Sequence, residues 1–481
     1  MIALPFVFNS LFSFAIGLFV AKFLGPTEYG RYALALAIGV VLQTLCLDWL
    51  RLSATRFYSE QERRDRPEIR ATLNVIFAII VAFATAGAIG IAFSGLRLPL
   101  SPRLIALAIG AAVASGLFEF SAALVRARFL DRAYAALVIV RTFLSICLTV
   151  GGAWYFGSAK VALAGVILSF VGSLIINHKA LNDDGINPRL ADRNLARRYA
   201  IYALPIVLAN VLYQMVPMIN RGIVAQIHNF AEAGQLALAY DIGIRIVSAI
   251  GAALDVLLFQ MAVFAEKTFG ADAARQQIAR NMGLVFAVIL PVVAGCWLIL
   301  PSFERLFVPE HFRGPFGYYF TLMLPAVLCF ALTHYSVGPA FQIAHRTLPL
   351  IIGGFVALIG NGLAILLLPA SPDATRFALA QSIASGASLA VMIAFLVTLA
   401  PAWPRFHDIG GTIGITALML IAVAPLRLMN PGVVTLLLEV SVGVAVYASG
   451  VLALDVASLR SMLAPKLWAW VGAPVHFRSR R

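Results

Sequence analysis

Charge is what this chain has least of. Only 12% of its 481 residues are Asp, Glu, Lys or Arg, against about 25% in an ordinary soluble domain. Acidic residues are the scarcer kind: 22 Asp+Glu stand against 36 Lys+Arg, a net charge of +14. There is no polar stretch long enough to make a sizeable soluble domain. Hydrophobic residues make up 61% of the chain, and mean hydropathy is +0.91. A soluble enzyme, a disordered protein and a secreted disulfide scaffold are therefore excluded. Cysteine is rare: Cys46, Cys147, Cys296 and Cys329, each inside an apolar run and none in CxxC spacing. They read as small core residues and carry no redox information. No GxxxxGK[ST], GxSxG or HExxH occurs, so neither a nucleotide, a nucleophile nor a metal is indicated, and no cofactor and no enzymatic reaction are expected. In a soluble chain the basic excess would suggest nucleic acid. Here it reads as loop arginines facing an anionic leaflet, with no nucleic-acid partner.

What remains is hydrophobic sequence. A membrane span needs about 20 apolar residues, and at about 34 residues per span plus loop the chain holds about 14. Apolar runs bounded by Gly, Pro or charge fall at 3–24, 32–50, 71–94, 103–125, 134–156, 160–180, 200–225, 236–262, 282–300, 317–341, 348–368, 375–399, 409–428 and 432–454. They are too long and too uniformly apolar for barrel strands, so the expected fold is an all-α polytopic membrane protein. The first run lacks a basic n-region and a small-residue cleavage site, and reads as a retained helix. After Asp455, Leu459, Met462, Leu463, Leu467 and Trp470 recur at helical spacing beside Arg460 and Lys466. That pattern predicts a short interfacial helix. With the N-terminus in the cytoplasm, inward loops and the tail hold about 24 Lys/Arg and outward loops about 8. Both termini are thus expected to be cytoplasmic.

The chain also contains an internal repeat. Ala3-Leu4-Pro5 recurs as Ala203-Leu204-Pro205. Glu28-Tyr-Gly30-Arg-Tyr-Ala33-Leu34-Ala35 recurs as Glu232-Ala-Gly234-Gln-Leu-Ala237-Leu238-Ala239. Leu73-Asn-Val-Ile-Phe77-Ala78 is matched by Met282-Gly-Leu-Val-Phe286-Ala287, and Asp131-Arg132 by His345-Arg346. Six helices separate the copies, so both have the same orientation and form a parallel repeat. The expected organisation is an N-lobe over 1–181 (helices one to six), a basic cytoplasmic linker over 182–198 and a C-lobe over 199–400 (helices seven to twelve). Two further helices over 401–455 and the tail 456–481 follow.

With these segments in view, the chain resembles the bacterial lipid-linked oligosaccharide flippases. These handle O-antigen and exopolysaccharide and form the polysaccharide-transporter branch of the multidrug/oligosaccharidyl-lipid/polysaccharide exporter superfamily. The residues that carry the resemblance are Phe23-Leu-Gly25-Pro-Thr-Glu28-Tyr29-Gly30-Arg-Tyr32, Tyr202-Ala-Leu-Pro205, Asn220-Arg221 and Glu232-Ala-Gly234-Gln-Leu-Ala-Leu-Ala-Tyr240. The resemblance implies two bundles around a central cavity in the bacterial inner membrane, working by alternating access. It implies that an undecaprenyl-diphosphate-linked glycan moves from the inner to the outer leaflet. It further implies as partners membrane lipid, H+ or Na+ as coupling ion, and polysaccharide polymerase and chain-length proteins. Family members often have a cationic cavity, whereas the deep charges here are mixed in sign. The task itself has a physical basis: a glycan diphosphate would lose its water in hydrocarbon, so its carrier needs a wet, polar-lined groove.

Ionisable residues inside spans are functional candidates, because insertion at the centre costs about 2.5–3.5 kcal/mol. Glu119 and Arg141 each lie about 10 Å from the inner ends of their spans and could pair. A structural ion pair and a cavity-lining pair that meets substrate both remain open. Lys22 and Arg221 fall near the outer ends of spans one and seven, where they either flank a cavity mouth or snorkel. In span eight, Asp241, Arg245, Ser248, Ala252 and Asp255 share one helical stripe expected to face a cavity. Asp241 and Arg245 are i,i+4 partners there, and Asp255 has no partner in its helix. Asn220 is either a cavity ligand or a helix–helix hydrogen bond. Competing functions are a drug/cation antiporter, a peptidoglycan-precursor flippase, a membrane-embedded glycosyltransferase and a non-catalytic scaffold. The antiporter usually has twelve spans, and the glycosyltransferase usually has a large outer loop that is missing here.

Overall fold

The computed structural model describes residues 3–59, 65–94, 99–182, 187–344, 346–399, 403–458 and 460. Among them there are helices and no strand, and thirteen helices are long and apolar enough to cross a membrane. In chain order the helices are α1 (Ala3–Cys46), α2 (Asp48–Phe57), α3 (Pro67–Phe93), α4 (Pro102–Ala127), α5 (Asp131–Phe156), α6 (Ala159–Ile176) and α7 (Arg193–Ile227). They continue as α8 (Phe230–Phe269), α9 (Ala271–Phe307), α10 (Pro315–Ile343), α11 (Leu348–Leu367), α12 (Thr375–Leu399), α13 (Phe406–Val423) and α14 (Val433–Leu454). The interfacial helix expected over the tail lies outside the described residues, apart from Arg460.

The count of thirteen conceals a fourteenth span. In α1 the apolar stretch Phe12–Cys46 is 35 residues, which as one straight helix would be about 52 Å long against a hydrocarbon core of about 30 Å. Gly25 breaks it, with φ 67° and ψ 172°. A side chain disfavours that left-handed φ, and Pro26 then opens the second segment with a preset φ. Two spans therefore meet at Gly25, as the separate runs 3–24 and 32–50 anticipate.

Boundaries differ where polar capping extends a helix beyond its apolar run. α7 starts at Arg193 rather than 200, because Asp192 accepts from the Asn194 amide at 2.8 Å while its own amide donates to Thr72 Oγ1 at 2.8 Å. α8 and α9 outrun the expected 236–262 and 282–300. They are joined through Gly270, whose φ of 89° turns the chain within one residue. α5 and α10 each contain a wide π turn, over Ile146–Val150 and Thr333–Val337.

The surface of the described helices is apolar. Phe83 and Phe93 on α3 are 77% and 87% exposed, and only 6% of the apolar window of α3 is buried. Such a surface is solvated by acyl chains, so the chain is a multi-pass membrane protein. Cys147, expected in a core, is on this exterior, while the other three cysteines are half-buried. A thiol is apolar enough for lipid contact, so the apolar run alone did not distinguish the two environments.

The described chain gathers into two compact units. The first comprises Met1–Ala249, Val308–Ala326 and Arg346–Met392. Here α1 packs on α4 and α7, α3 on α4, α4 and α5 on α6, and α7 on α11. One of its cores is built on Leu50, Leu73, Phe77, Phe120 and Tyr199. The second comprises Ile250–Phe307, Val327–His345 and Ile393–Arg481. In it α9, α13 and α14 pack together around Leu298, Met419 and Val423, and the Tyr447 hydroxyl donates to the Ala287 carbonyl.

Within the first unit the repeated motif meets its own copy. A Cβ added to Gly30 would lie 1.9 Å from the Phe230 carbonyl oxygen, and one added to Gly234 would lie 2.3 Å from the Pro26 carbonyl oxygen. Phe230 is the repeat equivalent of Pro26, so the contact is reciprocal. The two glutamates of the motif also do equivalent work. Glu28 accepts from the Ala159 amide at 2.9 Å, at the start of α6. Glu232 accepts from the Tyr319 hydroxyl at 2.7 Å, and that oxygen accepts from the Ala374 amide at 3.1 Å, at the start of α12. Each copy thus satisfies a backbone donor that a helix start leaves free, the first directly and the second through a phenol.

Candidate functional site

A cavity of about 220 Å³ lies in the first unit. Its walls come from α1, α4, α5, α6 and α8. The polar lining is Ser13, Tyr32 and Gln43 of α1, Ser115 of α4, Arg141 and Ser145 of α5, Ser169 of α6 and Arg245 of α8. No carboxylate is among the described lining residues. The wall therefore carries two guanidiniums, hydroxyls and an amide. The deep charges are mixed in sign along the sequence, but the fold sorts them.

Arg245 reaches across to α1. Its Nη1 donates to the Ser13 backbone carbonyl, and its Cζ lies 3.4 Å from where a Cβ on Gly17 would sit. Gly17 thus leaves a flat seat for the guanidinium. The expected pairing of Arg245 with Asp241 is not what forms. Asp241 is bonded to Arg221 of α7 instead. The physical reason is burial. The Arg221 side chain is 8% exposed, and a guanidinium buried that deeply without a counter-charge is costly. Arg245, on a cavity wall, is the one that donates to a neutral carbonyl.

Arg141 stacks over Phe170 at 5.2 Å and Phe118 at 5.9 Å, so its guanidinium is presented from an aromatic seat. It lies in the field of both Glu119 and Arg245. Glu119 also acts on Arg51, which is bonded to Asp48 at 3.2 Å. The acid expected beside Arg141 is therefore shared with a second arginine. Ser145, one turn beyond Arg141, immediately precedes the π turn Ile146–Val150. π turns are frequent at functional sites because they redirect side chains. Across the cavity the Ser115 hydroxyl donates to Gln43 Oε1 at 2.5 Å.

The other candidates are placed elsewhere. Asn220 is fully buried. Its Nδ2 donates to Asn361 Oδ1 and Gln381 Oε1, both at 3.1 Å, while its Oδ1 accepts from Asn361 Nδ2 at 2.7 Å. That is a closed network among α7, α11 and α12. Lys22 is exposed three residues before the Gly25 break, whereas Arg221 is buried, so the two do not occupy equivalent environments. Asp255 is half-buried in the second unit. Of the stripe on α8, Arg245 is the member that lines this cavity among the described residues. Sequence reasoning missed Ser13, Gly17, Tyr32, Gln43, Ser115, Ser145 and Ser169. Serine and glycine enter apolar helices at little cost, so they leave no trace in hydropathy. Among the described residues no cluster of His, Cys, Asp or Glu could hold a metal.

No family model matches the sequence, and no curated protein does. Solved structures do match. A structure described as the lipid II flippase MurJ in an inward closed conformation superposes with a TM-score of 0.68 at 13% identity, covering 96% of this chain and 99% of that one. An inward-facing multidrug-resistance MATE family transporter of the MOP superfamily gives 0.58 at 15% identity, covering 82% and 95%. An outward-facing MATE transporter gives 0.55 at 12%, covering 83% and 95%. At these identities the likeness concerns architecture: the chain has the polytopic helical fold shared by the MurJ flippase and the MATE transporters.

Proposed function

We propose that this chain is a flippase that carries a diphosphate-linked glycan lipid from the inner to the outer leaflet of a bacterial inner membrane by alternating access. The observation that carries the reading is the cavity wall, with two guanidiniums, several hydroxyls, an amide and no described carboxylate. Guanidiniums bind phosphate oxygens in pairs, while hydroxyls and amides match sugar. The same wall repels an organic cation, which disfavours the drug antiporter. The extent of the structural likeness supports the same choice, since the MurJ match covers 96% of this chain and the MATE matches 82–83%.

In this reading Arg245 exchanges the Ser13 carbonyl for a diphosphate oxygen. A neutral carbonyl is a weaker partner than a charged phosphate, so the empty site is neither a bare cation nor a closed trap. Arg141 supplies the second cation. The six-helix lobes 1–181 and 199–400 are the elements that rock, both termini are cytoplasmic, and H+ or Na+ is the coupling ion. The glycan belongs to cell-surface polysaccharide, with its polymerase and chain-length proteins as downstream partners. A peptidoglycan precursor is the second reading, favoured by the lipid II flippase among the matching structures. Depletion of the protein tests both: lipid-linked sugar should accumulate at the inner leaflet, and its glycan identifies the substrate. Unchanged leaflet distribution would sink the proposal.

A further inference from the structure

Arg56 and Arg198 lie outside the cavity, on the first unit. Arg56 is in the last turn of α2, and Arg198 is in the second turn of α7. Both are exposed, and both are held on one ring. Arg56 Cζ is 5.9 Å from the centroid of Phe57 and Arg198 Cζ is 5.3 Å from it. Arg56 also sits 4.7 Å over Tyr202. The platform is built rather than incidental. Phe57 packs on Tyr199 at 5.4 Å and edge-on to Tyr202 at 5.5 Å. Tyr199 is fully buried, and Ser53 Oγ donates to its carbonyl at 3.5 Å, fastening α2 to α7. Among the described residues neither arginine has a carboxylate partner.

Stacking holds a guanidinium by its face and leaves its in-plane N–H groups directed outward. Two like charges on one platform repel, and no described acid neutralises them. The two Cζ atoms cannot be farther apart than their two distances to the shared centroid taken together. The two groups thus share one small patch, where each can offer a charge-assisted bond to a different phosphate of one diphosphate. The position adds a second argument. Arg198 lies near the start of the membrane-spanning α7, beside Tyr202, and tyrosine rings collect at headgroup level.

We infer that Arg56 and Arg198 form a clamp for a lipid diphosphate at the membrane interface, separate from Arg141 and Arg245. A diphosphate lipid offers each guanidinium its own phosphate and carries more negative charge than an ordinary phospholipid, whose single phosphate the two would have to share. The clamp would hold the lipid beside the cavity, so it rests on the flippase reading for its role but not for its binding.

The test uses the full chain in phosphatidylcholine nanodiscs with farnesyl diphosphate as probe, and binding is read by native mass spectrometry. An Arg141→Ala/Arg245→Ala background removes the cavity cations. There the probe should still bind, and adding Arg56→Gln/Arg198→Gln should weaken it about tenfold or more, as loss of charged hydrogen bonds predicts. Arg56→Lys/Arg198→Lys should retain part of the binding, and farnesyl monophosphate should bind more weakly than the diphosphate. Equal binding with and without Arg56→Gln/Arg198→Gln overturns the clamp. Full displacement of the probe by phosphatidylglycerol at equal mole fraction overturns the diphosphate assignment in favour of ordinary anionic lipid. Normal flipping by Arg141→Ala/Arg245→Ala would overturn the cavity reading and leave the clamp standing.

Discussion

Arg221 and Arg245 are both arginines inside membrane helices of the first unit, and their surroundings differ in kind. Around Arg221 the polar groups are closed on one another: its guanidinium is bonded to Asp241, and its neighbour Asn220 is enclosed by Asn361 and Gln381. Around Arg245 they are open: a backbone carbonyl, a glycine and a cavity wall. A closed network satisfies its own desolvation and asks nothing of a ligand. An open one is incomplete without water or an anion. The difference separates a charge that holds helices together from a charge that can handle cargo, although both look alike as intramembrane arginines in a sequence.

The sharpest way to break this comparison is to delete each guanidinium. Arg221→Ala leaves the half-buried Asp241 without its partner, a loss of about 2 kcal/mol, the order of a charged hydrogen bond. Membrane abundance should fall severely on immunoblots, and Arg221→Ala/Asp241→Ala should partly restore it. Arg245→Ala should leave abundance normal and abolish flipping in reconstituted vesicles, with Arg245→Lys retaining some activity. If Arg245→Ala loses abundance instead, both arginines are structural and the distinction fails.

The first half of this comparison was not legible in the sequence. Asp241 and Arg245 have ideal i,i+4 spacing, and that local rule favours their pairing. What overrode it was the burial of Arg221 on another helix, which no periodicity reports. The spans themselves were legible, because the bilayer demands long uniform apolar runs, and Gly25-Pro26 marks the break between the first two. The serines of the cavity were not, since hydroxyls in helices satisfy themselves on the preceding turn, as Ser169 does on the Val166 carbonyl at 2.7 Å.

A second, smaller effect sharpens the open side. Gly17→Leu would fill the seat of the Arg245 guanidinium, and flipping should drop about tenfold, the order expected when a positioned charge is displaced. Gly17→Ala, whose Cβ would make an ordinary 3.4 Å contact, should change little. Equal rates for Gly17→Leu and the unaltered protein would mean that Arg245 does not act from that seat.

On the closed side, Asn220→Leu should cost about 1–2 kcal/mol in unfolding by detergent titration, because Asn361 and Gln381 each lose a partner. Flipping per folded molecule should stay normal. A transport defect at normal stability would move Asn220 to the open group. The smallest expected effect is that of Ser115→Ala, which removes one hydrogen bond to Gln43 and should shift stability by about 0.5–1 kcal/mol. Its informative readout is discrimination between glycan substrates: a change there, with an unchanged rate on a bare diphosphate lipid, would assign sugar recognition to this pair.

The reciprocal contact of Gly30 with Phe230 and of Gly234 with Pro26 has a kinematic consequence. When two copies of one segment touch through equivalent atoms, the symmetry operation that exchanges them leaves the midpoint of their contact where it was. Displacements that treat the copies alike can grow with distance from that midpoint, but they vanish at it. If the repeats rock as the proposed alternating access requires, the crossing is their fulcrum, and a fulcrum tolerates no slack. With carbonyl oxygens 1.9 and 2.3 Å from the missing β-carbons, even one methyl group on either glycine would force the two segments apart there.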